Sequence, residues 1–167
     1  MRVFLPLSVA LLLTGPISAL SGPALSGPAL SGPAGILTVT GSIEGGPVTL
    51  TRSDLEALPR HRLVTSTTVT DGTPAFEGFL MRDLLEGLGA RGDTVVAVAL
   101  NAYRMEIPMS DFEGFDVLGA LRMDGVALSP RDKGPIWIVY PRDDHPELRD
   151  IRYDTRWVWQ LTALHVQ

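Results

Sequence analysis

An arginine and two tryptophans near the end of the chain are the residues best suited by type and spacing to hold a ligand. Arg156, Trp157 and Trp159 follow a densely charged loop and open a predicted strand that runs from Trp157 to Val166. A guanidinium beside indole rings suits a flat, hydrogen-bonding ligand or its phosphate. A tryptophan on a strand is more often part of the core, and we expect only one of these two to face it. The other is left for a ligand.

The sequence gives weaker support for a metal site or a hydrolase site than for a binding site. The three histidines lie far apart and have no metal-ligand spacing, which argues against zinc. No serine has a G-x-S-x-G context, which argues against a hydrolase. Arg142, Asp143 and Asp144 could form a metal or substrate site, but a solvated or locally salt-bridged loop explains them more simply. The sequence therefore favours binding over hydrolysis.

Short apolar runs between turn signals predict the strands that would position these residues. Ile136 to Tyr140 is β-branched and aromatic and lies between two prolines, which predicts a strand buried on both faces. Thr94 to Leu100 is a second strongly apolar strand, with Tyr103 to Ile107 as its antiparallel partner. An Asp-Gly pair at 124–125 predicts a hairpin turn. Further strands are predicted at 36–40, 48–51, 61–70, 117–123 and 126–128.

Capping signals and periodicity predict three short helices. A capping box begins at Ser53, and its helix ends before Pro59. Another capping box begins at Ser110 and opens a single turn. Met81 to Leu88 has its apolar residues on one helical face and is followed by Gly89. Short strands with few helices indicate an α+β domain built around a mixed β-sheet.

Length and composition indicate one compact domain. The chain has 167 residues, of which 45% are hydrophobic and 20% charged, enough apolar material for a core. The formal net charge is −5, and acidic and basic residues are interspersed. Because there is no basic stripe, we expect no nucleic-acid partner.

The first 35 residues have a different composition. Residues 1–19 have the parts of a secretory signal, with an apolar run too short to span a bilayer and cleavage expected after Ala19. Residues 20–35 repeat the pentapeptide SGPAL almost three times, which predicts a linker because Gly-Pro pairs prevent helix or ladder formation. We expect residues 36–167 to be the folded domain, soluble, exported and not membrane-spanning after cleavage, and periplasmic if the source is a Gram-negative bacterium.

Four short motifs lie together in the last third of the chain. They are Lys133-Gly134-Pro135, a run ending in Tyr140-Pro141, Pro146-Glu147-Leu148-Arg149, and Arg156 three residues before Trp159. In these motifs the chain resembles the molybdopterin-binding domain of the sulfite oxidase family, and the likeness extends more loosely back to about Ile36. It most resembles a short secreted branch that includes pterin-binding regulators of membrane enzymes that make or destroy cyclic di-GMP. The resemblance implies the mixed-sheet α+β fold of that family.

The chain contains no cysteine. In the sulfite oxidase family a cysteine thiolate is a ligand to molybdenum, and the matching position falls near Ser66, Thr67 or Thr68. A neutral hydroxyl cannot replace a thiolate as a soft ligand. The resemblance therefore implies a pterin-shaped site without the usual metal chemistry, and molybdenum is not expected.

The binding residues of such a site follow partly from the chemistry of a pterin and partly from the resemblance. The pterin ring needs amides, hydroxyls or carboxylates along its edge and an aromatic ring or arginine against its face. Strand alternation separates Tyr103 from Arg104, so we rank Arg104 lower. The chain departs from the family pattern at Val69 and Ala102, so the affinity for the ligand or its identity can differ from that of the family. The candidate pterin-binding residues are Thr67, Thr68, Asp71, Asn101, Tyr103, Arg156 and Trp159.

These observations predict an exported, non-catalytic pterin-binding protein. It would sense a pterin, either molybdopterin or a metal-free pterin, and regulate a membrane signalling partner. The periplasmic domain of a cyclic-di-GMP enzyme or sensor is the partner that the resemblance implies. One alternative is a molybdopterin-dependent oxidoreductase with a non-cysteine metal environment. Another is an interaction module whose pocket is vestigial.

Overall fold

The computed structural model describes residues 34–167, and strands dominate this part of the chain. Four short α-helices and one 3₁₀ turn, Pro146–Arg149, interrupt the strands. The helices are α1 (Arg52–Glu56), α2 (Met81–Gly87), α3 (Met109–Gly114) and α4 (Ile151–Asp154). The strands are β1 (Gly35–Gly41), β2 (Val48–Thr51), β3 (His61–Val64), β4 (Ala75–Leu80), β5 (Thr94–Ala99), β6 (Arg104–Pro108), β7 (Leu118–Met123), β8 (Val126–Ala127), β9 (Trp137–Val139) and β10 (Leu161–Val166).

The strands form two sheets, whereas the sequence predicted a single mixed sheet. The first sheet has the order β2-β1-β10-β5-β6, and only its β1–β10 pair is parallel. The second has the order β3-β4-β7-β8, with β9 also paired to β7, and all its pairs are antiparallel. The α+β class is therefore confirmed, but the mixed character belongs to one sheet only.

The segment Ile136–Tyr140 links the two sheets and is buried throughout, as predicted. All five of its residues are 0% exposed. β9 pairs with β7 in the second sheet, while Ile138 donates its N–H to the carbonyl of Val158 at 2.9 Å. Leu161, the first residue of β10 in the first sheet, donates to the carbonyl of Ile136 at 3.0 Å. This segment thus places the residues before β10 against the core.

The last strand is shorter than the predicted span from Trp157 to Val166. β10 begins at Leu161, because Gln160 adopts a left-handed conformation with φ of 52°. That conformation is unfavourable for residues other than glycine and interrupts a regular strand. Arg156, Trp157 and Trp159 therefore lie on an irregular segment rather than on the strand.

The paired strands β4 and β7 depend on a close backbone approach at one glycine. A Cβ atom placed on Gly78 would lie 2.0 Å from the carbonyl oxygen of Gly119. Only glycine fits such an approach. The residues on either side of this contact, Phe76 and Phe79, are completely buried. Both phenylalanines belong to β4, which leads directly into α2.

Two of the helix starts differ from the predicted capping boxes. The cap of α1 is Thr51 rather than Ser53, because the Thr51 hydroxyl accepts from the N–H of Asp54 at 3.2 Å while the Asp54 carboxylate accepts from the N–H of Thr51 at 2.7 Å. α3 follows Pro108 with no side-chain cap, so Ser110 lies inside the helix. α2 agrees with the prediction, and Gly89 beyond it has a φ of +59°.

The two predicted N-terminal segments lie mostly outside the residues that the structure describes. The predicted signal at 1–19 lies outside the described residues, and so does the predicted linker at 20–35 apart from its last two positions. Gly35 already belongs to β1. Between residues 34 and 167, no helix has the length and apolar character needed to cross a bilayer.

Candidate functional site

A cleft of about 300 Å³ lies between the β5–β6 turn and the segment that precedes β10. Small-molecule sites in proteins are typically clefts of roughly 300–1,000 Å³ with mostly apolar walls and a few polar groups. Three of the seven candidate residues, Asn101, Tyr103 and Trp159, line this cleft. Its complete lining is Ala99, Asn101, Tyr103, Asp154, Thr155, Trp157, Val158 and Trp159.

The β5–β6 turn is shaped by its own polar side chain. Ala102 has a φ of 65°, and the side-chain oxygen of Asn101 accepts from the N–H of Tyr103 at 3.0 Å. This bond occupies the amide oxygen of Asn101 in the turn and leaves its NH₂ group as the donor on offer to a ligand. The hydroxyl of Tyr103 donates to the carbonyl of Thr155 at 3.1 Å and so ties the turn to the opposite wall of the cleft.

The two tryptophans have different surroundings because the segment that carries them is irregular, whereas residues two positions apart on a regular strand would share a face. Trp157 is 6% exposed and packs against the rings of Trp137 and Tyr140, with centroids 6.5 and 6.1 Å away. Trp159 is 40% exposed. Trp157 therefore belongs mainly to the core, and Trp159 offers an aromatic face to a bound molecule.

Asp154 and Trp157 each leave a polar atom without a partner at this cleft. One carboxylate oxygen of Asp154 and the indole nitrogen of Trp157 are buried and make no hydrogen bond within residues 34–167. An unsatisfied buried donor or acceptor costs about 1–3 kcal/mol, so such atoms call for an explanation. Asp154 is not among the predicted site residues, because the dense charge around it favours a loop, whereas residues Ile151–Asp154 form α4.

Arg156 is held in a network of buried polar groups and does not line the cleft. Its guanidinium donates to a carboxylate oxygen of Asp111 at 2.5 Å, and the hydroxyl of Tyr140 donates to the same oxygen at 2.8 Å. Its guanidinium carbon also lies 4.7 Å from the ring centre of Tyr153. We call Asp111, Tyr140, Tyr153 and Arg156 the Asp111 network. Because the guanidinium is already bound to Asp111, the geometry does not favour the predicted contact of Arg156 with a ligand.

Burial and charge shift the proton affinities of this network. Burial raises the pKa of Tyr140 well above its ordinary value, and the neighbouring charge of Asp111 raises it further. Burial opposes the charge on Arg156, but the hydrogen bond and the charge of Asp111 together outweigh it and raise the pKa of Arg156. Tyr140 therefore stays protonated as a donor, and Arg156 stays charged.

The hydroxyl-rich loop after β3 holds the other three candidates away from the cleft lining. The predicted strand at 61–70 ends at Val64, because the loop's hydroxyls bond locally and to Asp143 instead of continuing a ladder. Thr67 is buried, with its hydroxyl 2.7 Å from that of Thr70. Thr68 and Asp71 are exposed. None of the three lines the cleft, so their role in binding stays a prediction.

Asp143 anchors this loop from across the fold. Its carboxylate accepts from the hydroxyl of Ser66 at 2.7 Å and from the N–H of Ser66 at 2.6 Å. These bonds lower the pKa of Asp143 below its ordinary value. Asp143 was expected to be a solvated loop residue, and it is exposed, but it also fastens Ser66 in place.

The molybdenum ligation implied by the resemblance does not fit this chain. The sequence has no thiolate to offer, and the side chains near the matching position, Ser66 and Thr67, already hydrogen-bond to protein groups. Within the described region, no group of three or more histidine, aspartate or glutamate side chains is arranged to hold a metal ion. The described residues therefore offer no thiolate ligand for molybdenum.

Comparisons with known proteins give a fold but no family. No family model matches the sequence, and no curated protein matches it. Among solved structures, a chain of the sulfane dehydrogenase SoxCD from Paracoccus pantotrophus superposes with a TM-score of 0.60 at 20% sequence identity. The match covers 78% of this chain and 37% of that one, so this chain spans little more than a third of the neighbour's length. This likeness shows a shared fold and supports, as a distant relation, the sulfite oxidase-like fold that the motifs implied.

Proposed function

We propose that this cleft binds a pterin and that the protein is a ligand-binding protein, not a redox enzyme. The observation that carries the proposal is the combination of groups at one cleft of about 300 Å³ in a chain without cysteine. Trp159, Asn101 and Asp154 all line this cleft. A flat heterocycle with a polar edge needs these groups.

The arrangement accounts for binding without metal chemistry. The half-exposed ring of Trp159 can stack on a flat ring system, while Asn101 and Asp154 supply a donor and an acceptor at the edge of that system. The bond between Tyr103 and Thr155 joins the two walls before a ligand arrives, which lowers the ordering cost of binding. Nothing in this arrangement requires a thiolate or a second substrate.

We further propose that the protein is exported and reports its ligand to a membrane signalling partner. The signal-like N-terminus and the resemblance to pterin-binding regulators support this part of the proposal. The partner implied is the periplasmic domain of a cyclic-di-GMP enzyme or sensor. Capture of such a membrane protein only in the presence of pterin would support a signalling role, and equal capture with and without pterin would argue for a plain interaction module.

The binding proposal is tested on the purified protein by tryptophan fluorescence quenching and by calorimetry with a metal-free pterin. We expect saturable binding that Trp159→Ala and Asn101→Ala each weaken by about tenfold, since stacking and one hydrogen bond are each worth about 1–1.5 kcal/mol. Arg104→Ala is the matched control, because Arg104 is exposed on the neighbouring strand and does not line the cleft. An unchanged affinity for pterin in both cleft variants would contradict the proposal.

The second candidate function is a molybdopterin-dependent oxidoreductase with a non-cysteine metal environment. The observation that favours it is the shared fold with a chain of a sulfane dehydrogenase. An enzyme of this kind would contain molybdenum in near-stoichiometric amount and pass electrons to a dye. Elemental analysis of the same preparation therefore separates the two functions.

A further inference from the structure

We propose that Asp154 determines the class of ligand, selecting heterocycles that present two adjacent N–H donors along one edge. This edge is a 2-aminopyrimidin-4-one, which pterin and guanine share. The inference rests on the proposed function of the cleft and goes beyond it, because it assigns specificity to one carboxylate. It predicts which close analogues of a pterin the cleft rejects.

Asp154 is a carboxylate whose neighbouring cations are taken by other groups. It is flanked by Arg152 and Arg156 in sequence. Arg152 binds the carboxylate of Asp150 through two nitrogens, both at 3.0 Å, and Arg156 binds Asp111. No ion pair joins Asp154 to another residue of the described chain. Although arginines flank Asp154 in sequence, its carboxylate is thus left without an ion pair in the described chain.

The same carboxylate lies in the wall of the cleft. Asp154 is the last residue of α4, and the next residues of the wall are Thr155 and Trp157. One of its oxygens is buried without a hydrogen bond to any residue from 34 to 167. Rotation about χ2 exchanges the two oxygens at low cost, since this torsion is broad and two-fold in aspartate. Exchange alone leaves one oxygen position buried, so a two-point contact also needs rotation about χ1, which breaks no ion pair of Asp154 in the described chain.

The chemistry of a free carboxylate in such a cleft specifies its complement. A carboxylate accepts two parallel hydrogen bonds and donates none when ionised. The ring N–H and the exocyclic NH₂ of a 2-aminopyrimidin-4-one supply two such donors side by side. Lumazine, the 2,4-dioxo analogue of pterin, has the same flat rings but replaces the amino group with a carbonyl. Its oxygen would face the carboxylate with lone pair against lone pair.

The test compares pterin, lumazine and guanosine for binding to the full chain and to Asp154→Asn, by calorimetry at a pH where all three are neutral. For the unaltered protein we expect pterin to bind at least about tenfold more tightly than lumazine, since a site that hydrogen-bonds an NH group rejects the analogue lacking it. In Asp154→Asn the preference for pterin over lumazine should disappear or reverse. An amide offers one acceptor and one donor, which matches the edge of lumazine.

Two controls keep the outcomes separate. Asp93→Asn makes the same chemical change at an exposed position that does not line the cleft, and it should leave the preference intact. Thermal unfolding of Asp154→Asn shows whether the variant is folded, and the comparison of ligands on the unaltered protein does not depend on any variant.

The outcomes distinguish the inference from the proposed function. If pterin and lumazine bind equally to the unaltered protein, the role of Asp154 is overturned while the cleft remains a pterin site. If guanosine alone binds and depends on Asp154, the edge recognition stands and the pterin function fails. If none of the three binds, both are overturned.

Discussion

The Asp111 network and the cleft share the stretch of chain from Tyr153 to Trp159, and their polar groups are satisfied to different degrees. In the network, Arg156 and Tyr140 share one oxygen of Asp111, so their hydrogen bonds are made within the protein. In the cleft lining, Asp154 and Trp157 each have a buried polar atom that makes no hydrogen bond to any residue from 34 to 167. Residues within four positions of one another thus serve two purposes. In the network the polar groups satisfy each other, whereas in the cleft lining some stay unsatisfied.

This difference indicates that substitutions in the network should lower the free energy of unfolding, whereas substitutions in the cleft should mainly alter binding. Two residues fix the segment from Asp154 to Trp159: Arg156 binds the carboxylate of Asp111, and Trp157 packs into the core. Four experiments test this division, beginning with the largest expected effect.

The two tryptophans of the segment should differ most. Trp157→Ala should lower the free energy of unfolding by about 3–5 kcal/mol, the usual cost of removing a large buried aromatic residue. Trp159→Ala should cost less than about 1 kcal/mol, because its ring is 40% exposed. Urea denaturation followed by circular dichroism measures both. Equal losses in the two variants would contradict the division between core and cleft.

Removal of the Asp111 carboxylate should give the second-largest loss in the free energy of unfolding. Asp111→Ala should destabilise the protein by about 3 kcal/mol, because it leaves Arg156 and the hydroxyl of Tyr140 without their common partner. The matched control is Glu113→Ala, an exposed carboxylate on the same helix, which should change stability by less than about 0.5 kcal/mol. A loss at Asp111 no larger than at Glu113 would show that the network contributes little.

A single hydroxyl of the network should have a smaller effect. Tyr140→Phe removes one hydrogen bond to Asp111 and should cost about 1 kcal/mol at neutral pH. Because the pKa of Tyr140 is raised in the folded protein, the stability associated with its protonated form is complete below the ordinary value of 10.0 and lost as the pH rises through the higher folded value. Urea denaturation of both proteins from pH 7 into the alkaline range should therefore show their difference shrinking at high pH.

The smallest effect should be seen at the anchor of the hydroxyl-rich loop. The folded pKa of Asp143 is lowered, so its contribution is complete above the ordinary value of 3.8 and lost as the pH falls through the lower folded value. Asp143→Asn should thus be less stable than the unaltered protein near neutral pH, and the two should converge in acid below that value. A difference that does not change with pH would show that the bonds to Ser66 do not depend on the charge of Asp143.

Local sequence patterns predicted much of the fold. The hairpin of β1 and β2, the helix after β4, the Asp124-Gly125 turn and the buried strand at Ile136–Tyr140 all follow from periodicity and turn chemistry, and all are present. These patterns work because hydrophobic spacing and turn preferences act over a few residues. The patterns were less reliable at helix starts, where Thr51 competes with Ser53 for the same capping role.

The candidate site was predictable only in part. Asn101, Tyr103 and Trp159 stood out because aromatic and amide side chains follow or precede strongly apolar strands, and the structure brings them to one cleft. Arg156 had an equally good sequence context, yet its guanidinium binds a carboxylate 45 positions away. No local rule chooses that partner among the 19 acidic residues of the chain.

By itself, the sequence determined the α+β class, the short strands and the lack of a thiolate for a soft metal. The tertiary structure alone decided that the strands divide into two sheets, that Asp111 takes Arg156, and that Asp154 reaches the cleft with its carboxylate free of an ion pair. The physical reason is the distance along the chain over which each property acts. Periodicity and covalent chemistry are local properties, whereas the pairing of charges and the closure of a cleft depend on residues that meet only after the chain has folded.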